Sequence, residues 1–469
     1  MTYASVVSFL ESQTNYERTR PVQAMQQVRL ERMQWLCEQV GNPHRQFRSI
    51  LVAGTNGKGS ICAMIYEILR AAGLRVGLYT SPHLEDVRER IRVNADGQGR
   101  RDWIAQEELA AIVARLRPIL EDARRARADD PPTYFEVLTA AAFMHFAHRH
   151  VDVAVLEVGL GGRWDATNIV QQTVSVLGPI GLDHTEILGK DLGTIAREKL
   201  AILKPLPRTG RHAASSVLIS ATQEPDVAAL MREAAAERGC RVLEYGRQLA
   251  TEILAHQPKG MRLVIDGSRG RYEDVTLALL GRHQAQNAAL AVAAVEALTE
   301  SGVPHSAIRS GLARVQWPAR LEMVRAEPLV LLDGAHNPAA AHALAAALTD
   351  LWPDRRKHLV IGASSDKSIR GMGQALTPLM SSVTCTQSRH PRASAAMRVA
   401  EQLHLDSVEP TIIPDATDAY TYVLNTVDPR DLVVVTGSLF LVGEIRKVIR
   451  AAQRYLQSQG RHAAMSARR

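Results

Sequence analysis

The sequence predicts an α/β protein made of two doubly wound domains. Three observations carry that expectation. Short apolar runs alternate with longer alanine-rich stretches of helical period, the rhythm of parallel strands joined by crossover helices. Several of those runs end in glycine and polar residues, where open α/β sheets place their ligand groups. A chain of 469 residues also exceeds one ordinary core. The reading is a first domain over 1–314, a smaller second domain over 315–456, and a polar tail over 457–469 expected to be disordered.

Composition narrows the function. With 46% apolar and 22% charged residues, the chain is typical of globular proteins. Its net charge of +7 is spread among interspersed acids and bases, and aromatics are only 4%. A nucleic-acid partner is therefore not expected, while small anionic substrates suit the charge. Cys37, Cys62, Cys240 and Cys385 are too scattered for a metal pair or a disulfide framework. No leader pattern and no apolar run of spanning length is visible, so no membrane and a cytoplasmic location are expected.

Taken in order, residues 3–40 read as helices interrupted at Pro21, and Gly41-Asn42-Pro43-His44 as a turn. Ile50 to Ala53 then form a buried strand. Gly54-Thr55-Asn56-Gly57-Lys58-Gly59-Ser60 turns the chain into a helix whose apolar face is Ile61, Met64, Ile65, Ile68 and Leu69. Strand, glycine turn and helix start aim backbone N–H groups and the helix dipole at one point, which favours phosphate. Lys58 adds a cation for the outer phosphates, and Ser60 a hydroxyl for magnesium. The strict phosphate-loop pattern is broken at two places, because Val52 replaces its first glycine and Gly59 separates Lys58 from Ser60.

Arg75 to Thr80 read as a second strand leading to Ser81-Pro82-His83, and Asn94 to Gly97 as a turn. The basic stretch from Arg124 to Arg127 reads as a solvated helix face. Thr133 can cap a helix that runs to about His150, with Phe135 open between core packing and ring stacking. His145, His148 and His150 read as a partly solvated helix end. Val151 to Gly159 is the strongest buried strand, and its Glu157 needs a cation because an unpaired buried carboxylate costs several kcal/mol. A strand over Thr173 to Ile180 ends at Asp183-His184. Strand, helix and strand follow over 216–245, then antiparallel hairpins over 248–280. The remaining strands, at 330–332, 359–363, 383–386 and 432–436, make the second domain doubly wound as well.

The variant loop resembles that of the Mur-type ligases, in the folylpolyglutamate synthase and dihydrofolate synthase branch. The run Glu157-Val158-Gly159-Leu160-Gly161-Gly162-Arg163-Trp164-Asp165-Ala166-Thr167-Asn168 matches that branch with one free position. The elements Thr80-Ser81-Pro82-His83, Gly281-x-His283-x-x-x-Asn287 and Asp333-Gly334-Ala335-His336-Asn337-Pro338 follow in the family's order.

The resemblance implies an ATP-dependent ligase that joins L-glutamate to dihydropteroate and to reduced folates, through an acyl phosphate. It implies a phosphate-loop ATPase domain followed by a Rossmann-like domain, acting as a monomer. ATP would meet residues 54–60, Asn287, Arg320, Asp333 and His336. Ser60, Ser81, Glu157 and His184 would hold magnesium, with two ions expected. Lys58, Lys199 and His336 would be catalytic, with Lys199 carbamylated. Phe135 and Asp165 would meet the pteroate, and Ser438 the glutamate.

Three departures stand out: Leu200-Ala201-Ile202 for the usual alanine-glycine-isoleucine, Ala319 for glycine, and Ser368 for an aspartate. The alternatives are a folylpolyglutamate synthase alone, a Mur-type ligase with another acceptor, and a non-enzymatic nucleotide-binding regulator. Only about fifty residues precede the loop, too few for a uridine-nucleotide domain.

Overall fold

The computed structural model describes residues 2–19, 29–94, 102–126, 130–205, 216–299, 302–403 and 409–466, with side chains as far as Tyr455. Pro21, Arg127, the turn residues 95–97 and the proline- and arginine-rich loop over 206–215 lie outside the described residues. The chain divides into two units, Met1–Gln316 and Trp317–Arg469.

The first unit is built on β1 (Arg48–Ala53), β2 (Val76–Tyr79), β3 (Ile91–Val93), β4 (Val153–Glu157), β5 (Val174–Leu177), β6 (Val217–Ser220) and β7 (Arg241–Glu244). They form one sheet in the order β3-β2-β4-β1-β5-β6-β7. Every pairing is parallel except that of the edge strand β3 with β2. Nearly continuous apolar runs such as Ile50 to Ala53 and Val153 to Leu156 are fully buried, as a sheet covered on both faces requires. From β1 the chain crosses to β2 on one side, and from β4 it crosses to β5 on the other. The carboxyl ends of β4, β1 and β5 therefore flank a switch point, where such sheets bind ligands.

The helix Tyr134–His148 begins as expected at Thr133, whose hydroxyl accepts from the Glu136 N–H while Glu136 receives the Thr133 N–H at 2.7 Å. Glu136 also forms a buried ion pair with Arg32 on the helix Leu30–Gln39. His145 corrects the expectation of a solvated helix end. It is buried against Phe146, and burial brings its imidazole down to about 4. His148 and His150 are exposed.

A small antiparallel sheet of β8 (Ala250–Gln257), β9 (Gly260–Asp266) and β10 (Arg271–Leu277) follows. Glu296, on the helix His283–Leu298, is buried and takes the Tyr272 hydroxyl at 2.7 Å, the Ser268 N–H and hydroxyl at 2.7 and 2.8 Å, and the Arg269 N–H at 3.3 Å.

The second unit has β11 (Glu322–Ala326), β12 (Leu329–Leu332), β13 (Lys357–Ile361), β14 (Ser382–Gln387), β15 (Thr411–Asp415) and β16 (Leu432–Thr436). Their order is β11-β12-β16-β13-β14-β15, with only β11 antiparallel. The last helix runs from Leu439 to Ser466. It thus runs on into the polar stretch from 457 as far as Ser466. No described helix is long and apolar enough to cross a membrane.

Glu296 gathers four donors from one turn and strand, so replacing it strands them together. Glu296→Ala should destabilise the full chain by about 3 kcal/mol in denaturant unfolding. A loss below about 0.5 kcal/mol, the range of ordinary surface substitutions, would show that the hairpin sheet is held by other contacts.

Candidate functional site

β1 delivers the glycine-rich turn to the switch point, and the turn is laced to the loop after β5. The Thr55 and Asn56 N–H groups both donate to the Pro179 carbonyl, at 2.9 and 3.4 Å. The Thr55 hydroxyl donates to the Gly181 carbonyl at 3.1 Å and lies 3.0 Å from the Gly181 N–H. Gly57, at φ +82°, precedes the helix Lys58–Ala71, and a Cβ there would lie 2.9 Å from Asn287 Oδ1. Glycine suits this position for both its left-handed backbone and its missing side chain.

Asn287 is thus packed beneath the turn, and its amide nitrogen donates to Gln284 Oε1 at 2.9 Å. Gln284 Nε2 in turn lies 3.4 Å from the Ser60 hydroxyl. Gln284 escaped the sequence reading. Its position three residues before Asn287 on one helix was the available signal.

Two lysines converge on one atom. Lys58 reaches back from the helix start to the Gly54 and Thr55 carbonyls, at 3.0 and 3.1 Å. Lys199, on the helix Leu192–Leu200, reaches the same Gly54 carbonyl at 3.0 Å. Burial, reinforced by the Lys58 charge, brings the Lys199 amine down to about 7. It is therefore substantially neutral, and nucleophilic, near pH 7.

Glu157 closes β4 and is buried at 6% exposure, while the Ser81 N–H beyond β2 donates to its Oε2 at 3.1 Å. The structure thus brings Glu157 and Ser81 together. His184 opens the short helix Thr185–Leu188 at φ +51°, with its N–H on Asp183 Oδ1 at 2.8 Å. Among the described residues, no three His, Cys, Asp or Glu side chains form a ready cation cluster. The carboxylate of Glu157 and the Ser60 and Ser81 hydroxyls are nonetheless the hard oxygen donors that suit Mg²⁺, which usually completes its shell with water and phosphate.

The loop after Glu157 is braced from within. Asp165 Oδ2 accepts the Gly159 and Leu160 N–H groups, each at 2.9 Å, and its Oδ1 accepts the Thr167 N–H and hydroxyl at 3.0 and 2.5 Å. Burial still pushes its carboxyl up against those four bonds. The geometry makes Asp165 the clamp of this loop, a role not foreseen for it in the sequence. Phe135 sits beside the same loop, because a Cβ on Gly159 would lie 2.7 Å from its ring, and its centroid is 5.9 Å from that of Tyr79. It is half-buried, so both of its expected roles stay open.

In the second unit, the turn after β12 is built the same way. Asp333 is buried and accepts the Leu321 and Ala335 N–H groups at 2.9 Å each. Burial raises its carboxyl, opposed by Arg320. His336 Nδ1 lies 2.8 Å from the Gly334 carbonyl, which places the proton on Nδ1 when the ring is neutral. Arg320 stands between two non-glycine residues at positive φ, Ala319 at +59° and Leu321 at +46°. Ala319 is therefore no neutral exchange for glycine, since a Cβ is disfavoured in that conformation. The Ser438 hydroxyl accepts the Phe440 N–H at 3.2 Å at the start of the last helix.

Residues 52–295 match the Mur ligase middle domain, and residues 319–439 match the Mur ligase, glutamate ligase domain. The chain is 34% identical to a dihydrofolate synthase/folylpolyglutamate synthase of Bacillus subtilis, over 89% of this chain and 94% of that protein. It is 35% identical to the protein of that name from Mycobacterium tuberculosis, over 89% of each. The solved Mycobacterium tuberculosis folylpolyglutamate synthase complexed with ADP superposes with a TM-score of 0.85 at 34% identity, covering 95% of this chain and 98% of that one. Escherichia coli FolC in complex with DHPP and ADP gives 0.81 at 31% identity, covering 97% and 99%.

The buried amine yields a test with a definite sign. Lys199 binds its proton more weakly folded than unfolded, so stability should rise as pH increases from about 7 toward the ordinary lysine range near 10.4. In CO₂-free buffer, unfolding free energy of the wild type should climb across pH 7.5–9.5 relative to Lys199→Met, by up to about 1.4 kcal/mol per unit. Parallel curves would place Lys199 in solvent.

Proposed function

The chain belongs to the Mur ligase family, and from that premise we propose that it joins L-glutamate to the carboxylate of dihydropteroate and of reduced folates at the expense of ATP. The observation that carries this reading is the end-to-end similarity to dihydrofolate synthase/folylpolyglutamate synthases, 34–35% identical over 89% of this chain. The phosphate turn, Glu157 and the acceptor-side loop also share one end of one sheet.

A carboxylate is a poor electrophile because oxide would have to leave. Transfer of the γ-phosphoryl group converts it into an acyl phosphate and releases ADP. The glutamate amine then attacks the acyl carbon, and phosphate leaves from the tetrahedral intermediate with its C–O bond. Backbone N–H groups of 57–60 and the Lys58 ammonium would hold the phosphates, with Arg320 and His336 assigned to spread charge on the transferring group. Asp333 orients the turn that carries His336. Asn287, through Gln284, supports the phosphate turn and the Ser60 hydroxyl from below.

Ser60, Ser81, Glu157 and His184 would hold magnesium, two ions in this reading, which supplies positive charge to the phosphates when bound. Lys199, with its lowered amine, would add as the neutral base to CO₂ and lose a proton to form a carbamate, placing an anion beside Lys58. Phe135 and the Asp165-clamped loop would line the pteroate site, and Ser438 the glutamate site. The domains over 1–314 and 315–456 then serve acceptor and glutamate chemistry in a cytoplasmic monomer without nucleic-acid partners.

A second reading is a folylpolyglutamate synthase without the dihydropteroate activity. It is favoured by the Lacticaseibacillus casei relative, 34% identical over 88% of this chain and 92% of that one, which is named folylpolyglutamate synthase alone. Glutamate-dependent ADP release, measured separately with dihydropteroate and tetrahydrofolate, decides between them. Turnover with both supports the first reading, and turnover with tetrahydrofolate alone supports the second. Lys58→Ala should lower either rate at least about a hundredfold, with its far-UV spectrum kept. Rates close to wild type in that variant would remove Lys58 from the chemistry.

A further inference from the structure

β6 lies beside β5 in the first unit's sheet, and just past it the Ala221 N–H donates to the Leu177 carbonyl at 2.9 Å. Two residues on, the half-buried Gln223 lies across Pro179. Its Oε1 accepts the Ile180 N–H at 3.0 Å, and its Nε2 donates to the Gly178 carbonyl at 3.0 Å and to the Ser220 hydroxyl at 3.2 Å. A backbone N–H can only donate, so the Ile180 bond fixes which way the amide faces. Pro179 has no N–H of its own, and a single side-chain amide satisfies the backbone groups on either side of it.

What Gln223 holds is the residue on which the phosphate turn rests. The Pro179 carbonyl accepts the Thr55 and Asn56 N–H groups, and Gly181 is bonded to the Thr55 hydroxyl. The two loops meet without slack. A Cβ on Gly178 would lie 2.6 Å from the Asn56 carbonyl oxygen, and one on Gly54 would lie 2.9 Å from the Gly178 Cα. A shift of 178–180 is therefore passed directly to 54–56. The same segment after β6 also reaches the turn's other support. The Thr222 N–H donates to Gln286 Oε1 at 3.3 Å, and Gln286 precedes the Asn287 that packs beneath Gly57.

We propose, resting on the ligase reading above, that Gln223 is a positioning residue for ATP, which holds the phosphate turn in its nucleotide-receiving shape by acting through Pro179. A turn ordered in advance binds phosphate without the ordering cost that a loose one adds. Without the amide, the Pro179 carbonyl loses its anchor to β6, and the Thr55 and Asn56 N–H groups that depend on it loosen with it. ATP then binds only the ordered fraction of turns, and its apparent affinity falls by that fraction. Among the described residues, the bonds of Gln223 go to Gly178, Ile180 and Ser220 and none to the Asp165-clamped loop. The effect thus falls on the nucleotide and leaves the acceptor side unchanged.

The test titrates ADP with Mg²⁺ into wild type, Gln223→Met and Gln223→Asn, and measures KM for ATP and for tetrahydrofolate in each. Methionine keeps the length of the side chain and removes its amide, while asparagine keeps the amide on a shorter stem. Gln223→Met should raise the Kd for ADP and the KM for ATP about tenfold, the scale of one lost hydrogen bond. Gln223→Asn should raise both by a smaller factor, and it decides the matter where Gln223→Met fails to fold. KM for tetrahydrofolate should change less than about twofold in either variant. Without nucleotide, exchange of the Thr55 and Asn56 amide protons should quicken in Gln223→Met while that of the β4 amides stays as in wild type. Wild-type ADP affinity in both variants, or KM values for ATP and tetrahydrofolate that rise together, would overturn the proposal. A wild type that binds ADP but shows no glutamate-dependent ADP release with dihydropteroate or tetrahydrofolate would overturn the ligase reading alone, and the ADP titration would still decide the role of Gln223.

Discussion

The Gly54 carbonyl, approached at 3.0 Å by both Lys58 and Lys199, is the constraint on which the first unit's site depends. A carbonyl can accept from both, but burial and a neighbouring cation each disfavour the charged form of the second amine. The cost falls on Lys199, which is buried and whose amine is brought down to about 7, while Lys58 stands at a helix start. The rest of the site is arranged around that point. The loop after β5 buttresses the turn through Pro179 and Gly181, and Glu157 with Ser81 places negative charge at the neighbouring strand end. The Lys58 ammonium and the open N–H groups of the helix start leave a positive potential at that point, which phosphate, an anion, meets.

How far this was legible from sequence depends on whether a residue's role is local. The turn over 54–60, the strand ending at Glu157 and the cap at Thr133 are written in adjacent residues, and each stands where its pattern places it. The hairpins over 248–280 were legible for the same reason, from closely spaced glycines. What escaped depends on packing and bonding that no local pattern announces. The edge strand β3 is three residues long and carries no pattern of its own. His145 looked solvated because two neighbouring histidines are, yet it faces inward. Asp165 has a role beside the ligand contact expected of it, since its oxygens also clamp the loop that the motif builds. The last helix carries its apolar stripe, Leu441, Val442, Ile445 and Ile449, in its first part, and the polar, small residues from 457 continue it without one.

The second unit holds its turn under backbone strain. Ala319 and Leu321 both adopt left-handed conformations around Arg320, and Asp333 fixes the latter through the Leu321 N–H. Non-glycine residues persist there only when their surroundings over-determine them. Here the surroundings are the Asp333 carboxylate on one side and the Glu322 carboxylate, which accepts the Ala319 N–H at 3.0 Å and pairs with the buried Arg446, on the other. The direction of the Arg320 side chain is thereby set by two acids rather than by loop preference.

The helix His283–Leu298 joins two features described separately. Near its start, Gln284 and Asn287 support the phosphate turn, and near its end, Glu296 grips the three-stranded hairpin sheet. Gln284 and Glu296 are about 18 Å apart along a straight helix rising ~1.5 Å per residue. A helix of this kind transmits displacement as a stiff rod does. The phosphate turn and the hairpin sheet are thus braced against opposite ends of one rigid member, so the span between them is set by a single helix rather than by the loops.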